Sequence, residues 1–320
     1  MTLNSKSLAF VFPGQGSQAI GMGRDLAATY TTAADVFAEV DEALGQNLSK
    51  LMFEGPQDSL TLTENAQPAL MAVSIAVVRV LAENGFDVVE QARFVAGHSL
   101  GEYSALVAAG TFSLTDGARL LKTRGRAMQQ AVPVGDGAMA ALLGLDMDAA
   151  KVVADEAAQG EICTAANDNA PGQVVISGAR KAVERAIEIA KAHGAKRGML
   201  LPVSAPFHCA LMAPAAQVMA EALAVVRMES PKVPLVANIT AEVVNNVPEI
   251  RRLLVEQVTG MVRWRESVQY IRNEGVEKLM EVGSGKVLSG LTRRIDRDIE
   301  ALSIGTPEDI TAFIGELENV

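Results

Sequence analysis

The feature of this sequence that most constrains its fold is a serine flanked by glycines, between a strand-like run and a helix-like run. The stretch 93–106 reads RFVAGHSLGEYSAL, so an apolar segment meets Gly97, Ser99 follows, and a helical pattern starts at Gly101. This G-x-S-x-G spacing is typical of a nucleophile elbow, in which the hydroxyl projects at the head of a helix, where an oxyanion is favoured. A serine that only caps a helix after a glycine turn is the alternative.

The composition favours a large core and argues against general nucleic-acid binding. Of the 320 residues 49% are hydrophobic, which allows one large α/β domain and a smaller one, and the net charge is -10. Cys163 and Cys209 lie far apart without metal-ligand spacing. We therefore expect buried free thiols and a reducing cytoplasm.

Neither of two apolar stretches qualifies as a targeting or membrane segment. The run Leu8–Phe12 is too short for a signal peptide. The segment Gly198–Ala220 has no charged residue, but three prolines and a histidine within it exclude a membrane helix. The sequence therefore predicts a soluble protein.

The N-terminal part alternates strand and helix patterns. Ser7–Phe12 predicts a short buried strand that leads into the loop PGQGSQ at 13–18, whose glycines lack the spacing of a dinucleotide-binding fingerprint. On its own residues this loop fits a plain strand-to-helix turn as well as a functional loop. Helices are predicted over 33–44 and 68–84, and the second is so uniformly apolar that we expect a buried core helix.

A different pattern runs through the middle of the chain and predicts a second domain. The order there is βαββαβ, which is that of a ferredoxin-like domain. We predict an α/β protein in which a large domain with a mostly parallel sheet, over 1–131 and 204–320, is interrupted by this small domain over 132–203. The loop 167–172 is predicted as a hairpin turn, although it could also face a cleft. In the inserted domain strands are predicted at 138–144, 161–166, 173–177 and 197–203, and helices at 147–158 and 179–193; after it come helices at 211–226, 248–259 and 265–273, and strands at 235–237 and 278–282.

One arginine lies on the inward face of a helix predicted to start near Ser113 and to end before Pro133. On a helical wheel Arg124 falls among apolar residues, whereas the other basic residues cluster on the opposite side. A guanidinium keeps its charge and is costly to bury alone, so Arg124 must find a carboxylate. That carboxylate belongs either to the protein, as a structural ion pair, or to a ligand.

A serine nucleophile needs a base, and the chain has three histidines. His98 adjoins Ser99 on a strand, where neighbouring side chains point to opposite faces, and His193 ends a charged helix, a usual place for an exposed cation. His208 remains, on a proline-marked loop between the two domains, and interdomain clefts are preferred ligand sites. A buried structural histidine is the alternative. No acid sits at a convincing strand end between Ser99 and His208, so we consider a dyad in which a backbone carbonyl orients the imidazole.

Five segments together resemble the malonyl-CoA:acyl carrier protein transacylases of dissociated fatty acid synthesis. The similarity runs over almost the whole chain, and the set is specific although each member alone is not. The family fold, an α/β-hydrolase-like large domain interrupted by a ferredoxin-like one, agrees with the predicted insertion. The segments are Pro13–Gln18, Gly97–Glu102, Arg124–Gly125, Gln173–Gly178 and Pro206–His208.

The resemblance implies catalytic roles for five matching residues. Ser99 is the nucleophile and His208 its base. The main-chain carbonyl of Gln257 orients the histidine. The backbone N–H groups of Gln15 and Leu100 form the oxyanion hole.

The resemblance also implies a malonyl-binding group, because Arg124 would pair with the free carboxylate of the substrate. Phe207 is similar to the malonyl-selective version of its motif. Three further residues are candidate substrate contacts: Met128, Asn167 and Asn169. At Gly260-Met261 the chain departs from the family, many of whose members carry a proline there.

The implied reaction is a ping-pong transfer from malonyl-CoA through an acyl-serine to the phosphopantetheine thiol of acyl carrier protein. No metal and no tightly bound cofactor is expected, and neither nucleic acid nor membrane is an expected partner. One rival is a serine esterase or thioesterase, which delivers the acyl group to water. The other is a non-catalytic acyl-binding subunit, which would leave the combination of Ser99, His208 and Arg124 unexplained.

An acidic carrier protein, as the resemblance implies, needs a local basic patch on this acidic chain. A solvated helix face is an alternative explanation for each candidate residue. The candidates are Arg180, Lys181, Arg185, Lys196 and Arg197 in the inserted domain, or Lys286, Arg293 and Arg294 in the large one.

Overall fold

The computed structural model describes residues 7–318; residues 1–6 and 319–320, which the predicted domain limits include, lie outside the described residues. The described residues form ten strands and fifteen α-helices. The strands are β1 Leu8–Phe12, β2 Phe94–Gly97, β3 Gly137–Leu143, β4 Cys163–Ala170, β5 Gln173–Ala179, β6 Arg197–Leu200, β7 Leu235–Val236, β8 Val243–Val244, β9 Lys278–Val282 and β10 Glu300–Ile304. The helices are α1 Arg24–Thr29, α2 Thr31–Leu44, α3 Leu48–Glu54, α4 Gln57–Thr61, α5 Thr63–Glu83, α6 Val88–Gln91, α7 Gly101–Ala108, α8 Leu114–Gln130, α9 Met147–Ala158, α10 Arg180–Ala192, α11 Ala213–Val225, α12 Val247–Glu256, α13 Trp264–Asn273, α14 Val287–Ile295 and α15 Pro307–Glu318.

The larger sheet has six strands in the order β10-β9-β1-β2-β7-β8. All neighbouring pairs are parallel except β7 and β8, so the predicted mostly parallel sheet is confirmed. All five residues of β1 are buried, as expected for a central strand covered on both faces. The carboxyl ends of β1 and β2 lead into the loops at 13–18 and 98–100, and this edge of a parallel sheet is where ligands usually bind.

The smaller sheet has four antiparallel strands in the order β4-β5-β3-β6. Helices α9 and α10 bury their apolar faces against it in a separate core. This is the βαββαβ topology that the sequence predicts. All four strands come from a segment that interrupts the larger sheet, and we propose 132–203 as the limits of this inserted domain.

The hairpin loop predicted at 167–172 is mostly wrong. Residues 167–170 belong to β4, which pairs with β5 through two register shifts. Asparagine and aspartate usually favour turns, but here they have partners outside the sheet. Asp168 contacts Arg265, and the Oδ1 atom of Asn169 lies 2.8 Å from the Nε2 atom of His98.

Helix α5 is the buried core helix that the sequence predicts, but it begins five residues before the predicted start at Pro68. Its first turns are polar, and their buried side chains have polar partners: Asn65 bonds Gln46 and Lys122, and Gln67 bonds Arg124. By length and composition alone α5 could cross a membrane, yet 83% of its most apolar window is buried within the fold. We therefore assign it to the core.

The two domains are joined at one edge of the inserted sheet. Val262 of the large domain donates from its N–H to the Ala166 carbonyl and accepts from the Asp168 N–H, both at 2.9 Å. The Asp168 carboxylate, 1% exposed, also pairs with Arg265 at 2.7 Å. These contacts fix β4 against the large domain beside the carboxyl ends of its strands.

Candidate active site

Ser99 lies in the turn between β2 and α7 with a φ of +54°, a left-handed conformation that is uncommon outside glycine. Gly97 and Gly101 on either side of it must be glycines, because neighbouring backbone lies too close to leave room for a Cβ atom. A Cβ on Gly97 would lie 1.9 Å from the Gly101 carbonyl, and one on Gly101 would lie 2.2 Å from the Phe12 oxygen. The turn therefore presents the Ser99 hydroxyl at the start of a helix, as an elbow requires.

The hydroxyl of Ser99 is hydrogen bonded to the histidine selected by elimination. Its Oγ lies 2.8 Å from the His208 Nε2 atom. The His208 Nδ1 atom faces two main-chain carbonyls, that of Gln257 at 2.8 Å and that of Gly260 at 3.1 Å. Carbonyls only accept, so Nδ1 carries the proton and Nε2 is free to accept one from the serine. The Gln257 carbonyl thus contacts the histidine despite the departure at Gly260-Met261.

The imidazole of His208 is held in its neutral form. Burial lowers its pKa, the nearby charge of Arg124 lowers it further, and the value falls to about 3. Neutral imidazole is the form that a general base needs.

Arg124 projects from α8 toward the same hydroxyl and is 1% exposed. One of its terminal nitrogens donates to Ser99 Oγ at 3.1 Å and to the Gln257 Oε1 atom at 2.8 Å. The other donates to the Gln67 Oε1 atom at 2.9 Å. Its guanidinium also lies over the Tyr103 ring, 5.6 Å from the centroid.

No acidic oxygen lies within 4 Å of this guanidinium among the residues from 7 to 318, so the structural ion pair considered for Arg124 does not form there. Amide oxygens hold the group in place but do not neutralise it. Burial therefore lowers the pKa of Arg124, and its Nε–H has no partner in the described part of the chain. A buried cation without a counter-ion strongly favours an incoming anion.

Ser99, His208 and Arg124 meet in a cavity of about 420 Å³ between the domains. Such concave interdomain sites are usual for small-molecule substrates. Its other walls come from the loops after β1 and β2, helices α5 and α8, and the inserted domain. Those lining residues include Gln15, Leu100, Gln67, Met128, Met139, Asn167, Leu201, Pro202, Val203 and Phe207.

Two main-chain N–H groups remain available in the cavity that contains Ser99. Gln15 and Leu100 both line the cavity, and Leu100 is the residue just before α7. No acceptor for either N–H is found within residues 7–318. One donor at the start of a helix and one in the loop after β1, both in the wall of the cavity that contains Ser99, are suited to bind the oxyanion of a tetrahedral intermediate.

The other predicted substrate contacts differ in where they lie. Met128, Asn167 and Phe207 line the cavity, but Asn169 does not. Its amide oxygen is 2.8 Å from the His98 ring nitrogen, so it holds a side chain of the cavity wall instead. The pKa of His98 is lowered by burial, which keeps this ring neutral.

Sequence reasoning missed three polar residues of the site: Gln67, Asn238 and Glu102. Each is buried: Gln67 accepts from Arg124, Asn238 accepts from the Ser99 N–H, and Glu102 accepts from Asn238 and Gln257. A signal existed for two of them, since Gln67 precedes a long apolar run and Glu102 follows Gly101 among apolar residues. A buried polar group requires a partner, which makes such interruptions informative.

The third histidine lies outside this cavity. His193 ends α10 and pairs with Glu156 at 3.1 Å, far from the elbow in the inserted domain. Within the described ranges no group of three or more His, Cys, Asp or Glu side chains is arranged to hold a metal ion.

Comparison with known proteins places this chain in one family. The acyl transferase domain family matches residues 9–289. A malonyl CoA-acyl carrier protein transacylase of Escherichia coli strain K12 is 48% identical over 306 residues, which are 96% of this chain and 98% of that protein. The corresponding transacylase of Bacillus subtilis strain 168 is 46% identical over 312 residues, 97% of each chain.

Solved structures that resemble this chain have names consistent with the same family. The acyl-carrier-protein-S-malonyltransferase of Bartonella henselae superimposes with a TM-score of 0.95 at 57% identity, covering 98% of this chain and 99% of that one. A malonyl-transacylase in complex with its type II PKS acyl-carrier protein has a TM-score of 0.94 at 43% identity, covering 97% and 99%.

Proposed function

Since this chain belongs to the acyl transferase family, we propose that Ser99, His208 and Arg124 carry out its chemistry. The chain is a malonyltransferase that moves malonyl groups from malonyl-CoA to acyl carrier protein for fatty acid synthesis, as predicted from its sequence. The single observation that carries the assignment of residues is Arg124, a buried cation that no carboxylate contacts among residues 7–318 and that lies 3.1 Å from the nucleophile.

In the first half-reaction Ser99 Oγ attacks the thioester carbonyl of malonyl-CoA, and His208 Nε2 takes the hydroxyl proton. The N–H groups of Gln15 and Leu100 stabilise the oxyanion. The C–S bond then breaks, and CoA leaves as a thiol after taking the proton from the imidazolium. Arg124 binds the distal carboxylate and so fixes the acyl group over the hydroxyl.

In the second half-reaction the phosphopantetheine thiol of the carrier protein gives its proton to His208 and attacks the acyl-serine. The ester bond breaks, and the imidazolium returns the proton to Ser99. One thioester replaces another, so the overall free-energy change is small and the enzyme must mainly lower barriers and exclude water. Serine and imidazole supply both reacting functions, and this scheme uses no cofactor.

Binding of the substrate is also expected to change the pKa of the base, His208. The charge of Arg124 lowers the pKa of His208, so a carboxylate paired with that guanidinium raises it again. A malonyl group is therefore oriented by Arg124 and reacts with a more basic His208. An acetyl group has no carboxylate and gains neither effect. This coupling supports selection at the acyl-transfer step as well as in binding.

Partition of the product tests the proposal against its hydrolase rival. Wild-type enzyme is given labelled malonyl-CoA with and without holo carrier protein, and free malonate and malonyl-carrier protein are measured together. We expect malonyl-carrier protein as the main product. Mainly free malonate would instead indicate a thioesterase, and absence of both acyl-serine and turnover a binding subunit.

For the carrier protein we propose docking near Lys286, Arg293 and Arg294. The loop before α14 touches the cavity loop, since Ser284 Oγ donates to the Ser17 carbonyl at 2.7 Å. In the other basic cluster the charge of Arg185 is already paired with Glu161, whereas Arg293 and Arg294 donate to uncharged groups, the Ala301 carbonyl and the Gln173 side chain. In the same assay, added salt is expected to slow the carrier-protein step more than the CoA step.

We propose a cytoplasmic location for this enzyme. Cys163 and Cys209 are both buried free thiols, as expected for a protein of a reducing compartment. Burial raises the pKa of both thiols, which keeps them protonated and unreactive.

A further inference from the structure

The buried carboxyl group of Glu102 has no part in the mechanism above. It lies in the first turn of α7, three residues after Ser99, and is 1% exposed. Its Oε2 atom accepts from the Asn238 N–H at 2.9 Å and from the Gln257 Nε2 atom at 3.0 Å. Burying a carboxyl group is costly, so its position at the nucleophile requires an explanation.

The neighbours of Gln257 determine how its side-chain amide is turned. Its Nε2 atom faces three acceptors: the Ser99 carbonyl at 3.0 Å, Glu102 Oε2 at 3.0 Å and the Asn238 Oδ1 atom at 3.3 Å. A carbonyl and a carboxylate oxygen accept and do not donate, so the NH2 group must lie on this side. The amide oxygen is thereby turned to Arg124 at 2.8 Å.

Asn238 is oriented in the same way. Its Oδ1 atom accepts from the Ser99 N–H at 2.8 Å, and its Nδ2 atom donates to the Gly97 carbonyl at 2.7 Å. Glu102 accepts from its main-chain N–H. One carboxyl group therefore joins the elbow helix to the two segments that hold Ser99 and Arg124.

The charges around Glu102 are few. Burial raises the pKa of Glu102 to about 7, while the hydrogen bonds from Asn238 and Gln257 and the charge of Arg124 on α8 favour the ionised form. Tyr103 on the same helix stays protonated, since burial raises its pKa well above the ordinary value. The Gln257 amide separates Glu102 from Arg124, so the carboxylate contributes to charge balance without occupying the place of the substrate carboxylate.

We propose that Glu102 is a positioning residue for malonyl selectivity, which holds the Gln257 amide so that its oxygen fixes Arg124 toward the acyl site. This inference rests on the proposed role of Arg124 in binding malonyl. A neutral amide at position 102 would hold the Gln257 NH2 group less firmly than the carboxylate does, with the Ser99 carbonyl as its remaining main-chain acceptor, and would allow the Gln257 oxygen to turn away from the guanidinium. Arg124 would then lose an acceptor.

The test compares malonyl and acetyl transfer to holo carrier protein in wild type, Glu102→Gln and Glu102→Met. We expect Glu102→Gln to lower the ratio of malonyl to acetyl kcat/KM about tenfold, because a charge-assisted hydrogen bond is exchanged for a neutral one. Glu102→Met removes the acceptor and is expected to lower the ratio further. If Glu102→Met fails to fold, Glu102→Gln alone decides.

Glu281→Gln is the matched control. Glu281 is another buried glutamate of the large domain, and it accepts from the N–H groups of Leu288 and Ser289 at the start of α14, outside the cavity. Its substitution is expected to lower thermal stability while the malonyl-to-acetyl ratio stays at the wild-type value. A purely structural role of Glu102 would produce this same pattern.

A double-mutant cycle adds a second readout. In an Arg124→Ala background, Glu102→Gln should no longer change the malonyl-to-acetyl ratio, because its effect passes through Arg124. A ratio within twofold of wild type in Glu102→Gln, or an undiminished effect in the Arg124→Ala background, overturns the inference. If wild type itself fails to prefer malonyl over acetyl groups, the proposed function fails instead.

Discussion

The two walls of the active-site cavity are built in different ways. The large-domain wall carries Ser99 and Arg124 in a dense network of buried hydrogen bonds, and His208 is anchored to it through the Gln257 carbonyl. The wall from the inserted domain is mainly apolar and includes Met139 and Leu201. The proposed reacting groups thus share one network in the large domain, and we expect the second domain to enclose the acyl group and limit water.

This difference separates two kinds of effect. Substitutions in the large-domain wall should lower the rate of acyl transfer or its selectivity, because distances among the reacting groups are set there. Substitutions at the junction should mainly weaken substrate binding, because they move an enclosing surface and leave the reacting groups in place. Three variants test this division.

Ser99→Ala is expected to have the largest effect. Removing the nucleophile should lower malonyl transfer on the order of 10³-fold or more, and no labelled malonyl should remain on the denatured protein. Mass spectrometry of the acylated wild type provides the reference. Label retained by the variant would place the nucleophile elsewhere and would remove the chemical distinction between the two walls.

Arg124→Ala should have the next largest effect, and a selective one. Loss of the charge pair with the malonyl carboxylate is expected to lower malonyl transfer by about 10²-fold or more, with a much smaller change for acetyl transfer. Steady-state kinetics with both acyl-CoA substrates measures the difference.

Arg126→Ala is the control for this variant, since Arg126 lies on the same helix, is 58% exposed in its side chain and pairs with Glu64 at 3.3 Å. A surface pair of this kind contributes little, so its kinetics should stay near wild type. Equal losses of malonyl and acetyl transfer in Arg124→Ala would contradict a carboxylate-binding role.

Much of the fold follows from local patterns in the sequence. Helix α9 and strand β9 have the predicted bounds, and Ser113 caps α8, accepting from the Asp116 N–H at 3.0 Å. Strand β10 and helix α15 were not predicted. The start of α5 and the loop at 167–172 were predicted wrongly for the same reason. Polar or turn-forming residues at these positions have partners far away in the sequence, which no local pattern indicates.

The residues of the site also divide into those that a local pattern predicts and those that it does not. The glycine spacing around Ser99 and the inward position of Arg124 can be read locally, because each depends on one turn or one helix. The network of Gln67, Asn238 and Glu102 cannot, because its bonds join positions up to 155 residues apart. A single sequence shows that such polar residues are unusual, but not which of them meet.

Asp168→Asn should have the smallest effect, and it tests the junction. Its carboxylate, 1% exposed, accepts three contacts from Arg265 at 2.7 to 3.0 Å across the domains, and the amide keeps fewer of them. We expect KM for malonyl-CoA to rise roughly 3- to 10-fold with a smaller change in kcat, together with lower thermal stability.

Glu161→Gln is the control for the junction, since Glu161 pairs with Arg185 at 2.6 Å inside the inserted domain and both side chains are at least 32% exposed. This pair does not cross between the domains, so KM should stay near wild type. A fall in kcat with unchanged KM in Asp168→Asn would mean that the inserted domain also sets the distances among the reacting groups. Both walls of the cavity, and not the large-domain wall alone, would then set these distances.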